Sequence, residues 1–137
     1  MNFQNTRLWS ILEKDKELSQ AIIDIRENCR LLADNIRVLI PSFTDHSVNH
    51  MDALWTVCDV IFTDTEIKKI TLAEAFILGA SFYFHDLGMA FGATKDGIEK
   101  LKKSERYNSI NSKLKYVDGL TSEMAECIAL QLAAREL

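Results

Sequence analysis

Two of the chain's three histidines stand four residues apart in Phe43-Thr44-Asp45-His46-Ser47-Val48-Asn49-His50. The third closes the most apolar stretch of the sequence, Phe82-Tyr83-Phe84-His85-Asp86-Leu87-Gly88-Met89. Neutral imidazole is the commonest nitrogen ligand for a divalent ion, and a carboxylate is its usual oxygen companion. A carboxylate taken out of water costs several kcal/mol unless it is paired, protonated or bound to a metal, so Asp86 needs compensation. Each histidine alone reads as a structural, hydrogen-bonded residue. Taken together with Asp86, the set reads as a holder of a divalent metal ion. It is not the zinc-protease pattern, because no glutamate follows His46.

These residues need helices to position them. Leu18, Ile22, Ile25, Cys29, Leu32, Ile36 and Leu39 recur at steps of three and four, which predicts a long helix that Pro41 ends. That stripe packs in the core or docks a partner helix. A second helix is expected to start near Thr44, Asp45 or Ser47, each a good N-cap, with Met51, Leu54, Trp55, Cys58 and Ile61 as its main apolar face. On that helix His46 and His50 fall on one stripe with Ala53 and Val57, so both rings can face one point. A third helix, from about Thr71 to Phe84, is apolar nearly all round and belongs in the middle of the domain. Gly88 and Gly92 mark where it stops and the chain turns. Residues 93–106 read as a polar surface helix and residues 107–120 as a loop, with Asp118 in a turn beside Gly119. A last helix begins after Thr121 and runs through Leu137, which leads to the expectation that the chain is cut from something longer.

In these residues the chain resembles the HD superfamily of metal-dependent phosphohydrolases, in the branch often found in larger bacterial multidomain proteins. The match is His50 with Ala53-Leu54 on a helix, followed by His85-Asp86-Leu87-Gly88-Met89. The resemblance implies an all-α, HD-domain-like helical bundle, here ending short at the C-terminus. It implies that His50, His85 and Asp86 ligate the metal, that Asp86 is the catalytic residue and can bridge two ions, and that the metal is Mn, Mg, Fe or Zn. His46 has no fixed counterpart; it is read as an outer contact to the ligands or a contact to substrate phosphate, and it could serve as a ligand instead. The family's further downstream aspartate is not found on a helix here, which puts hydrolysis by this stretch alone in doubt. The implied function is hydrolysis of a nucleotide or another phosphate ester. The rival is a catalytically inactive HD-like module for protein interaction or ligand sensing.

Composition bounds the rest. The 137 residues, with 47% apolar and 26% charged, suit one folded domain over 1–137: a leading helix over 1–40, the metal motifs over 44–92 and the closing elements over 93–137. One proline and five glycines leave little for the turns of a sheet protein. The net charge of −4 hides a basic segment, residues 95–115, at +4. With few aromatics interleaved, that segment reads as a solvated face, and nucleic acid is not an expected partner. Cys29, Cys58 and Cys127 are odd in number and lie among apolar residues, as reduced core thiols do. No run approaches the ~20 apolar residues that span a bilayer. The expected setting is therefore the cytosol, and the expected partners are a phosphate-containing small molecule and either a second copy or further domains of a longer protein.

Overall fold

A computed structural model describes residues 2–39, 45–92 and 94–136. The expectations placed on Pro41, Thr44 and Leu137, and on the side chain of Leu39, lie outside the described residues. The described residues are all-α, with no strand among them. After a short 3-10 turn over Phe3–Asn5, the helices are α1 (Arg7–Leu12), α2 (Lys16–Leu39), α3 (Val48–Ile61), α4 (Asp64–Ile67), α5 (Leu72–Phe84), α6 (Leu87–Gly92), α7 (Lys95–Lys103), α8 (Glu105–Leu114) and α9 (Ser122–Ala134). They gather into two compact units, one of Met1–Leu31 with Ser47–His85 and one of Leu32–His46 with Asp86–Leu137.

In the first unit α1, α3 and α5 pack on one another. The segment before α2 carries none of the sequence cues given above, yet the 3-10 turn supplies Phe3 to the core and α1 supplies Leu8, Trp9 and Leu12. Trp55 lies at the centre and is fully buried, with the rings of Trp9 and Phe82 at 6.0 and 5.5 Å. Burying one such large side chain contributes roughly 1.5–3 kcal/mol. Gly79 is required beneath that indole: a methyl group there would meet the Trp55 ring at 2.6 Å. Asp15 accepts hydrogen bonds from the Glu17 and Leu18 amides and so starts α2, while Thr71 and Glu74 form a reciprocal capping box that starts α5.

Several expectations for these helices are corrected. The α2 stripe is buried at Ile22, Cys29 and Ile36, but Leu32 is exposed and Ala33 takes its place, because a straight helix drifts off a strict seven-residue repeat. The α5 helix is not central on all sides: Ala75, Gly79, Ala80, Phe82 and Tyr83 are buried, while Ile77 is 67% exposed and Phe84 is exposed too. On α3, Ala53 and Val57, expected to share a stripe with His50, are exposed, and so is Ile61 at the end of the main apolar face.

In the second unit the last turns of α2 meet α6, α7, α8 and α9 in a core of Ile36, Met89, Ala90, Leu101, Tyr107, Ala129, Leu130, Ala133 and Ala134. Alanines along α9 allow close helix approach, and Gly92 sits so near that a methyl group on it would meet the Ala134 Cβ at 2.9 Å. Gly88 lies inside α6 and does not mark the end of α5, whereas Gly92 is the last residue of α6. The loop expected over 107–120 is mostly α8. Ser104 caps it through the Tyr107 amide, and Tyr107, Ile110 and Leu114 bury against the core, which overrides the poor helix propensity of its asparagines and serines. Only residues 115–120 turn, at Gly119 with φ +85°.

Candidate metal centre

His50 and His85 belong to the first unit. Ser47 precedes the first turn of α3, which places His50 near that helix's start, and His85 is the residue that terminates α5. Their ring centroids are 5.8 Å apart. His85 Nδ1 lies 2.8 Å from the Phe82 carbonyl oxygen. A carbonyl only accepts, so the proton is on Nδ1 and the lone pair is on Nε2. Metal-binding histidines are commonly held in this way, with the second nitrogen donating to a backbone oxygen.

A buried polar network lies two residues from each of those histidines. Arg26 Nε and Nη2 grip Asp52 at 2.8 to 3.2 Å, the Tyr83 hydroxyl donates to Asp52 Oδ1 at 3.0 Å, and Trp55 Nε1 donates to the Tyr83 oxygen at 3.1 Å. The hydrogen bond to Asp52 raises the Arg26 pKa further above its ordinary value, and burial pushes the Tyr83 phenol up. The sequence reading missed this network. Its signal was Asp52, an acid set between the buried positions Met51 and Trp55.

Asp86 and His46 belong to the second unit, with α9. Asp86 is 2% exposed. Its Oδ2 lies 2.9 Å from His46 Nδ1, and its Oδ1 lies 3.8 Å from the Arg135 guanidinium. His46 Nε2 in turn lies 3.1 Å from the Gln131 side-chain nitrogen. The expectation that His46 and His50 share a helical stripe is corrected, since α3 begins at Val48 and His46 precedes its cap. The buried ring of His46 lies against the Asp86 carboxylate. Gln131 and Arg135 went unread because neither is a ligand type; the available signal was two polar residues one turn apart on a helix otherwise rich in Ala and Leu.

His50, His85 and Asp86 each offer one donor atom, all within 4.8 Å of one another, with His50 half-buried and His85 exposed. Ligand bonds of about 2.0–2.2 Å put donors on one ion no more than ~4.4 Å apart, a spacing close to that of this set. Two imidazoles and a carboxylate suit several first-row divalent ions. Asp118, in its turn, is not among them.

An all-α chain with a His-His-Asp cluster able to hold a metal is the class that these features define. The family model described as HD-CE matches residues 40–136, and the chain belongs to this HD-like family. No curated protein and no solved structure matches the chain. No helix among the described residues is long and apolar enough to cross a membrane.

Proposed function

We propose that this HD-like domain is a metal-dependent phosphohydrolase acting on a nucleotide or another phosphate ester, with His50, His85 and Asp86 as metal ligands and Asp86 as the catalytic residue. The observation that carries the reading is the convergence of those three donors within 4.8 Å in a chain that matches HD-CE over residues 40–136. A bound divalent ion supplies hydroxide from water at neutral pH and neutralises charge on phosphate oxygens. The protein's own contribution is placement. The Phe82 carbonyl orients His85, and His46 orients Asp86. Arg135, half exposed beside Asp86, supplies a fixed positive charge for an anionic substrate.

Elemental analysis of protein purified without chelator, joined to hydrolysis assays on a diester, a monoester and nucleotides with Mn(II) added, tests the reading. Stoichiometric transition metal with metal-dependent phosphate release is the expected result. A second reading has its own support: Asp86 has protein partners, His46 and Arg135, that can carry it as a structural group in an inactive HD-like module. Protein that takes up no metal even when Mn(II) or Zn(II) is supplied establishes that reading and sinks the first.

A further inference from the structure

We propose that Gln131 is a positioning residue: by donating its side-chain N–H to His46 Nε2 it fixes the imidazole tautomer whose Nδ1–H donates to Asp86. The tautomer assignment stands on the second unit alone, and only its consequence for metal affinity rests on the function proposed above. Gln131 lies on α9, which Ala129, Leu130 and Ala133 anchor in that unit's core. Its side-chain nitrogen faces His46 Nε2 at 3.1 Å, and His46 Nδ1 faces Asp86 Oδ2 at 2.9 Å.

An amide nitrogen carries hydrogens and accepts nothing, so the ring nitrogen before it must be the acceptor. A neutral imidazole that accepts at Nε2 carries its proton at Nδ1, where the carboxylate oxygen waits. The other tautomer sets donor against donor at Gln131 and acceptor against acceptor at Asp86. His46 and Asp86 are buried, at 5% and 2% exposure, so water cannot repair those mismatches. The chain of contacts thus gives a ligand carboxylate the outer hydrogen bond that fixes its direction. Loss of such a bond typically lowers metal affinity 10–100-fold, on the order seen for outer partners of metal ligands.

Long-range ¹H–¹⁵N spectra of histidine-labelled, metal-free protein read the tautomer directly. The expected result is His46 protonated at Nδ1 in the native chain. Gln131→Glu keeps the shape but replaces the donor with an acceptor, and a proton should appear on Nε2. Gln131→Leu should weaken Mn(II) binding by about 10–100-fold in calorimetric titration, with unchanged helical circular dichroism. A native His46 carrying its proton on Nε2, or a Gln131→Glu spectrum identical to the native one, overturns the proposal. Mn(II) bound by Gln131→Leu as tightly as by the native chain overturns the positioning role. A native chain that shows the Nδ1 proton yet takes no Mn(II) upholds the tautomer and refutes the metal site, so the two failures are distinct.

Discussion

Among the described residues each compact unit buries one carboxylate, and the two are held by different partners. Asp52 is gripped by a guanidinium through two nitrogens and by a phenol, at 2.8 to 3.2 Å. Asp86 Oδ2 meets the imidazole of His46 at 2.9 Å, and its Oδ1 lies 3.8 Å from the Arg135 guanidinium. A carboxylate closed around a guanidinium is a structural anchor: its charge is matched, and its loss strands a cation. A carboxylate steered by imidazole keeps the donor strength that a metal ligand requires. Under the proposed function the two buried carboxylates therefore serve different purposes, one as an anchor and one as a ligand.

The largest expected effect comes from removing each carboxylate in turn. Asp86→Ala should reduce bound metal to background in elemental analysis, while stability falls by about 1–2 kcal/mol, less than for Asp52. Asp52→Ala should do the reverse. With Arg26 left only Glu27, half exposed, as its ion-pair partner, chemical denaturation should show a loss of about 3 kcal/mol, and the folded fraction should still bind metal. If both variants lost stability equally and neither lost metal, the contrast between anchor and ligand would be wrong.

Tyr83→Phe sharpens the anchor side of the comparison at smaller cost. It removes the hydroxyl that links Trp55 to Asp52, which leaves the buried indole N–H without that acceptor. A loss of about 1–2 kcal/mol is expected in urea unfolding, with metal binding intact. A change in metal affinity without a change in stability would instead tie the network to the histidines two residues away.

What could be read from the sequence follows from how local the signal is. His85-Asp86 stood out because an ionisable pair closes an apolar helix, and the helix starts at Thr71 and Thr121 are properties of a few adjacent residues. The partners of Asp86 were not legible in the same way: Gln131 lies 45 positions downstream of it, and nothing local distinguishes a glutamine that faces an imidazole from one in water. The α8 helix was hidden for a related reason, since its asparagines and serines favour turns and only the tertiary burial of Tyr107, Ile110 and Leu114 reverses that preference. The pairing of His46 with His50 failed at a single boundary, as the helix begins two residues after His46. Spacing arguments hold only where the helix exists.

The smallest effect tests a third kind of carboxylate, one on the surface. Glu74 accepts from the Thr71 amide and hydroxyl at the start of α5, and those hydrogen bonds hold its pKa below the ordinary 4.5. A depressed acid stabilises the fold at every pH above its unfolded value, and that contribution is lost as pH falls through the folded value. The window therefore lies below about 4.5. Glu74→Gln preserves the capping geometry, because a side-chain amide oxygen can accept the same two bonds, but it removes the titration. Unfolding curves at neutral pH should then nearly coincide for the native chain and the variant, with the native chain slightly ahead because a charged acceptor makes the stronger bond. On acidification into that window the difference should shrink and vanish. A gap that widened with acid would mean that the capping carboxylate is not the group that titrates there.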